Sequence, residues 1–120
     1  MKKVIRSFQF AIEGIGYAIK TQKNLKIHGF IAIVAILLGL YFQIERWEWI
    51  VLLLVFAMVL TSELLNTAIE RTIDLITQDY HEYAKCAKDV AAGAVLISAI
   101  IAVIIGFLLF FERIVKEFGL

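Results

Sequence analysis

The sequence contains no proline and only one cysteine, Cys86, among its 120 residues. The absence of proline favours long uninterrupted helices, because proline removes a backbone donor and kinks or ends a helix. A single cysteine excludes an intramolecular disulfide framework. The formal net charge is only +1, so no strong basic field indicates a nucleic-acid partner, and none is expected.

Apolar residues are abundant instead. They make up 62% of the chain, and its mean hydropathy is +0.87, whereas soluble domains contain about 45–50% apolar residues. A chain this short cannot bury so much apolar surface internally, so the excess must face lipid or a partner. A bilayer core needs about 20 predominantly apolar residues per helix. Three charge-free stretches meet this requirement with their flanks, and they predict transmembrane spans at about residues 27–44, 47–65 and 90–111.

The first 24 residues carry a different pattern. Apolar residues recur there at helical spacing, and the charged residues lie largely elsewhere on the helix. This pattern predicts an amphipathic helix in the membrane interface, although a fourth helix packed on the bundle remains an alternative. The predicted fold is therefore an all-α integral membrane protein, a single domain over residues 1–120. The apolar positions of the first helix are Ile5, Phe8, Ile12, Ile15 and Ile19.

Orientation follows from the lysines and arginines near the spans, which are enriched in cytoplasmic loops. Nine of the twelve lie in the N-terminal block or between the second and third spans. The N-terminus and the connection before the third span are therefore predicted to be cytoplasmic, in a multi-pass protein of the cell membrane. The nine residues are Lys2, Lys3, Arg6, Lys20, Lys23, Lys26, Arg71, Lys85 and Lys88.

The second span continues beyond the membrane as a polar helix. At about 100° per residue, Glu63, Asn66, Glu70 and Asp74 lie within one narrow arc of this helix. Three carboxylates on one stripe repel one another unless a cation joins them. Such a stripe suits an anionic substrate bridged by a divalent metal, but a polar stripe that holds helices together remains the alternative.

Cations follow this stripe after a predicted break at residues 77–79. Lys85 and Lys88 lie four and seven residues after His81, on one helix face, next to the predicted cytoplasmic interface. They could contact phosphates or be ordinary cytoplasmic lysines. No phosphate-binding GxxxxGK[ST] loop occurs, and the Gly14-x-Gly16 pair lacks the third glycine of a dinucleotide loop.

Two strings carry a resemblance to a known family. ELLNTAIERTID at residues 63–74, followed by His81 and by AKDVAAGAV at residues 87–95, resembles the small prokaryotic diacylglycerol kinases. The resemblance covers essentially the whole chain. It implies a homotrimeric inner-membrane lipid kinase that uses ATP with Mg²⁺ and has its active sites between protomers.

The same resemblance implies roles for individual residues. Glu63 would be the general base that accepts the proton of the lipid hydroxyl, Asn66 would lie beside it at the lipid, and Glu70 would hold the metal on the nucleotide phosphates. The remaining residues expected to bind nucleotide are Lys3, Phe10, Gln22, Asp79, Tyr80, His81, Lys88 and Asp89.

Three of these positions depart from the family pattern. Gln22 stands where the family usually has a second acidic metal ligand, and an amide offers an oxygen without charge, so weaker metal binding is expected. Lys3 stands where an arginine is frequent, and Phe10 where an aromatic hydroxyl is common.

The lipid substrate is the least determined feature. The segment QKNLKIH at residues 22–28 looks closer to the Gram-positive branch, whose members phosphorylate undecaprenol. The leading hypothesis is an undecaprenol kinase that makes undecaprenyl phosphate, and the alternative enzyme is a diacylglycerol kinase that makes phosphatidate. A non-enzymatic membrane subunit or small ion transporter, with the acidic stripe as its ion site, is the alternative outside the enzymes.

Overall fold

The computed structural model describes residues 1–120, and the chain is helical throughout except for short connections. The predicted all-α architecture is therefore confirmed. Four helices follow one another along the chain. They are α1 (Lys2–Thr21), α2 (Lys23–Tyr41), α3 (Arg46–Ile76) and α4 (Glu82–Glu117).

Three of these helices are long and apolar enough to cross a membrane, namely α2, α3 and α4. At about 1.5 Å per residue, the 31 residues of α3 span roughly 46 Å, which exceeds the hydrocarbon core of a bilayer of about 30 Å. The helix therefore extends beyond the membrane without a break, as its periodicity predicts. The 36 residues of α4 do the same. The exact membrane boundaries stay predictions.

Helix α1 is amphipathic, as predicted, and Ala18 is its only buried residue. Its apolar side stays uncovered, since Phe8 and Ile12 are each 67% exposed. This exposure favours a helix that lies in the interface over one packed into the bundle. Near its end α1 rests on α3, where the Arg71 guanidinium lies 5.7 Å from the centre of the Tyr17 ring.

The connections are short and each has a local cause. A single extended residue, Gln22, separates α1 from α2. The turn from α2 to α3 passes through Gln43 with a positive φ of 50°, and a capping box between Glu45 and Glu48 then begins α3. Before α4, the His81 side chain accepts a hydrogen bond from the Tyr83 backbone N–H.

The internal core is small and lies at the end of the bundle that carries the α2–α3 turn. Ile44, Leu52, Leu109 and Phe110 form it. Gly39 belongs to the same region, because a Cβ there would lie only 2.8 Å from the Trp49 ring. Only 14 of the 120 residues are buried, so most apolar side chains are left for lipid or for other copies of the chain. The predicted trimer stays a prediction.

Two buried carboxylates lie on α3, one toward each end. Glu48, near the α2–α3 turn, accepts a hydrogen bond of 2.9 Å from Arg113 of α4. Arg113 also donates to the Leu109 carbonyl of its own helix. This pair ties α3 to α4 and satisfies the buried charge, which is the usual condition for a carboxylate in an apolar environment. The second carboxylate, Glu63, is held differently.

Candidate functional site

Glu63 is the most completely buried large side chain of the molecule, with 2% of its surface exposed. It projects from the middle of α3 toward α2, where its Oε1 lies 3.2 Å from Nε2 of His28. One turn further along α3, the buried Thr67 hydroxyl donates to the Glu63 carbonyl, at 2.9 Å. The Thr67 hydroxyl is therefore hydrogen-bonded within α3. The Glu63 carboxylate lies between α2 and α3 without a hydrogen bond from this hydroxyl.

No hydrogen-bond donor reaches Oε1 of Glu63. The His28 imidazole is within hydrogen-bond distance of Oε1, but its N–H is not aligned with this oxygen. The contact is therefore not a hydrogen bond. Buried acceptors without a donor are uncommon in folded proteins and call for an explanation, such as a functional role. This oxygen can accept a proton or a hydrogen bond from a ligand.

The next turn of α3 carries the polar pair Asn66 and Glu70. The Asn66 amide nitrogen donates to Oε1 of Glu70 at 3.2 Å, while its own oxygen is buried without a donor. Both side chains are half-buried. The two residues share a face with Glu63, as helical geometry predicts, and the Asn66 oxygen is a second vacant acceptor on that face.

Asp74 closes this face near the end of α3. Its Oδ1 accepts a hydrogen bond of 2.6 Å from Nζ of Lys88 on α4, and its Oδ2 lies 3.7 Å from Arg71. The hydrogen bond from Lys88 holds the pKa of the Asp74 carboxyl below its ordinary value, with smaller help from the charges of Lys88 and Arg71 and against the opposing effect of desolvation. A cation does join the acidic stripe, and it comes from the next helix.

The connection between α3 and α4 borders an open cavity of about 370 Å³ beside this ion pair. Asp79, Tyr80 and His81 line it from the turn, and Lys88 and Asp89 line it from the first turns of α4. These are five of the residues predicted to bind nucleotide, and the structure brings them together around one space. The cavity lies at the end of the acidic stripe, and neither Glu70 nor Asp74 lines it.

Lys85 and Asp89 form a second ion pair on the rim of this cavity. Lys85 Nζ lies 2.5 Å from Oδ2 of Asp89, one helical turn further along α4. The hydrogen bond to Asp89 and its charge raise the pKa of the Lys85 ammonium. Both side chains are more than half exposed, at 61% and 62%, so solvent screens the pair. Lys85 and Lys88 thus have different partners, although both lie on one helix.

Three predicted site residues lie away from both this cavity and the polar face of α3. Lys3 and Phe10 are exposed on α1, where Lys3 lines a separate depression of about 370 Å³ with its neighbours. Gln22 sits at the α1–α2 junction, and the hydrogen bond that Glu70 accepts comes from Asn66. The roles of these three residues stay predictions.

Sequence reasoning missed two contacts of the site. His28 is not among the predicted site residues, yet its Nε2 lies 3.2 Å from Oε1 of the Glu63 carboxylate. Asp74 was placed on the acidic stripe without its partner, although Lys88 is one of the cations that follow the stripe. The sequence signal for the contact between Asp74 and Lys88 was the acidic residue before the α3–α4 turn and the basic residue after it.

The side-chain oxygens of the site suit a metal ion only if a bound substrate supplies further ligands. No group of three His, Cys, Asp or Glu side chains converges anywhere in the chain, which is what a protein-only metal cage would need. Magnesium is usually held by one or two carboxylates together with substrate phosphates and water. The Glu70 carboxylate fits that smaller demand.

Comparisons with known proteins identify the family of the chain. The family model described as prokaryotic diacylglycerol kinase matches residues 9–110. The chain is 39% identical over 114 residues to the undecaprenol kinase of Bacillus subtilis, covering 95% of this chain and 93% of the relative. It is 48% identical over 101 residues to a diacylglycerol kinase of Synechocystis, covering 83% of this chain and 58% of that longer protein. Against the Escherichia coli diacylglycerol kinase the identity is 28% over 102 residues, covering 85% of this chain and 84% of the relative.

Proposed function

The chain belongs to the prokaryotic diacylglycerol kinase family, and we propose that it transfers the γ-phosphate of ATP to the primary hydroxyl of undecaprenol. Membership makes it a lipid kinase, which decides against the non-enzymatic subunit and the ion transporter. Undecaprenol is favoured because the relative that matches almost end to end is named an undecaprenol kinase. Diacylglycerol is the second candidate, because the relative with 48% identity is named a diacylglycerol kinase.

The observation that carries the proposal is the vacant Oε1 of Glu63. A general base must offer an acceptor within hydrogen-bond reach of the hydroxyl whose proton it takes. Oε1 is buried and lacks a donor, and Glu63 lies at the end of the predicted second span, where a lipid hydroxyl would reach the interface. In the reaction Glu63 accepts the hydroxyl proton, the hydroxyl oxygen bonds to the γ-phosphorus, and the bond to the departing ADP breaks.

The phosphate chain would be held at the other end of the stripe. Phosphoryl transfer needs mainly positioning and charge neutralisation. Lys88 can supply positive charge from its place on the cavity wall, and Asp79, Tyr80, His81 and Asp89 surround the nucleotide in the proposal. When bound, Mg²⁺ neutralises phosphate charge, and Glu70 would hold it, with the Gln22 oxygen as an additional ligand.

An apolar cavity supplies a place for the lipid chain. It measures about 350 Å³ and lies between α2, α3 and α4. His28 is the polar residue of its lining, and this residue also contacts Glu63. Most of its lining is aliphatic, including Leu52 and Val55 of α3 and Ala102 of α4. A hydrocarbon chain seated there would bring its hydroxyl toward the buried carboxylate. Both candidate alcohols fit this description, since each joins a long apolar chain to a primary hydroxyl.

A radiolabel assay tests the function directly. The purified protein in mixed micelles is given ATP labelled in the γ-phosphate together with undecaprenol or diacylglycerol, and the extracted lipid is counted. Label should enter undecaprenol preferentially, and Glu63→Gln should lower kcat by about 10²–10⁴, the usual contribution of a general base. Glu48→Gln, which alters the other buried carboxylate of α3, is the matched control and should retain turnover in the folded fraction.

The outcomes separate the candidates. Preferential labelling of diacylglycerol would replace the first substrate with the second. No label in either lipid would overturn the kinase assignment for these substrates, and full activity of Glu63→Gln would overturn the assigned base.

A further inference from the structure

We infer that His28 is a positioning residue for Glu63: in the working enzyme its imidazole donates a hydrogen bond to the Glu63 carboxylate and aims it at the substrate hydroxyl. The inference rests on the proposed function, since it concerns the same reaction, but it adds a residue from another helix. His28 belongs to α2, whereas Glu63 belongs to α3.

The geometry of the pair is the first argument. Nε2 of His28 lies 3.2 Å from Oε1 of Glu63, and the side chains are 21% and 2% exposed. The His28 imidazole makes no hydrogen bond to any other group, and only the backbone of this residue is bonded within α2. A change in the ring torsion, without movement of either helix, would direct an N–H at the vacant oxygen. The broad torsional preference of an imidazole ring about its last side-chain bond allows such a change.

The cost of a buried charge is the second argument. An ionised carboxylate removed from water needs hydrogen-bond donors to compensate for its lost hydration. The other buried carboxylate of α3, Glu48, has Arg113 for this purpose, but Glu63 has only His28 within reach. A donor to one lone pair of Oε1 fixes the plane of the group, and the remaining lone pairs of the carboxylate, including the second one on Oε1, stay free to accept the substrate proton.

The location of His28 connects this role to the lipid. His28 lines the apolar cavity between α2, α3 and α4, where its imidazole is the polar exception among aliphatic neighbours. A lipid that fills this cavity would exclude water from the His28–Glu63 contact. Hydrogen bonds between such groups strengthen in a medium of low dielectric constant. Substrate binding and carboxylate orientation would therefore reinforce one another.

Three variants test the inference in the lipid kinase assay. His28→Leu removes the donor while keeping a similar bulk, and His28→Gln restores an N–H donor of comparable reach. Asn24→Leu makes a similar polar-to-apolar change one turn earlier on α2, at an exposed position, and serves as the control. For each protein kcat and the KM values for ATP and lipid are measured, together with the thermal unfolding midpoint in the same micelles.

His28→Leu should lower kcat by roughly ten- to a hundredfold, the loss expected for one hydrogen bond to a charged group. Its KM for ATP should stay within about twofold of wild type, because the contact orients the base and does not bind nucleotide. His28→Gln should regain most of the lost kcat, and Asn24→Leu should resemble the wild type. A merely space-filling histidine would not produce rescue by glutamine.

The results also distinguish this inference from the function on which it rests. If the wild type labels neither lipid, the proposed function fails. If the wild type is active but His28→Leu keeps its kcat, or if glutamine is no better than leucine, the role of His28 is overturned and the kinase assignment stands.

Discussion

Lys88 on α4 donates a hydrogen bond of 2.6 Å to Asp74 near the end of α3, across the turn that forms the proposed nucleotide pocket. The pair fixes the first turns of α4 against the acidic stripe. The same Lys88 ammonium group is the cation that the phosphates would contact in the proposed function. Lys88 must therefore be shared between Asp74 and the phosphate chain, or pass from one to the other.

Lys88→Met should raise the KM for ATP by about tenfold or more, because it removes a positive charge from the wall of the proposed phosphate pocket. Lys85→Met is the matched control, since Lys85 lies on the same helix and pairs with Asp89 on the exposed rim. Its effect on the KM for ATP should be much smaller. Equal effects from the two substitutions would mean that the general positive charge of the region matters and that Lys88 has no special position.

The stability of the folded protein should depend on the ionisation of Asp74. Its pKa is lowered in the folded state by the hydrogen bond from Lys88, so the unfolded chain binds the proton more readily. The stabilisation is therefore complete above the ordinary carboxyl value of 3.8, and it is lost as the pH falls through the lower folded value.

Thermal unfolding in an uncharged detergent measures this dependence. Between about pH 6 and about pH 3 the unfolding midpoint of the wild type should fall further than that of Asp74→Asn, which has no carboxyl at this position to protonate. Lys85→Met should follow the wild type, because it leaves the Asp74–Lys88 pair intact. Parallel curves for the wild type and Asp74→Asn would show that the pair does not couple to folding.

Gln22→Glu should lower the Mg²⁺ concentration required for half-maximal activity, because it replaces a neutral amide oxygen by a charged ligand. Asn24→Asp places the same added charge two residues further on, at an exposed position of α2, and controls for a general electrostatic effect. A titration of activity against Mg²⁺ at saturating lipid gives the comparison. An unchanged Mg²⁺ requirement in Gln22→Glu would remove Gln22 from the proposed ligands.

Glu48→Gln should destabilise the fold and spare the chemistry. It replaces the charged acceptor of Arg113 by a neutral amide oxygen, a loss of about 1–3 kcal/mol in the free energy of unfolding. Glu63→Gln removes no protein hydrogen bond from Oε1, so it should unfold at a temperature close to that of the wild type. Thermal unfolding of the two variants, measured beside their turnover, should therefore give opposite patterns, and a similar loss of stability in both would contradict this division of roles.

The acidic stripe could be predicted from the sequence because its geometry is internal to one helix. Glu63, Asn66 and Glu70 share a face through the fixed rotation per residue, and no packing of other helices alters it. The turn residues around His81 could be predicted for a similar reason, since helical periodicity fails there. The matching strings then assigned the family.

Contacts between helices could not be obtained in this way. The approach of His28 to Glu63 depends on how α2 crosses α3, which is decided by many weak side-chain contacts and by the close approach at Gly39. The environments of Lys3 and Phe10 are still harder to predict from the sequence. If the active site forms between protomers, the residues that complete their sites belong to another copy of the chain.

The unbroken course of α3 has a consequence for how the enzyme meets its membrane. Glu63 and Asp74 are eleven residues apart on one rigid helix, about 16 Å along its axis. A bilayer that is too thick or too thin for α3 makes the helix tilt or shift as a whole. The distance from Glu63 to Asp74 then stays constant, while the depth of both residues in the membrane changes. Membrane thickness would accordingly act on lipid access to Glu63 and leave the spacing of the chemical groups unaltered.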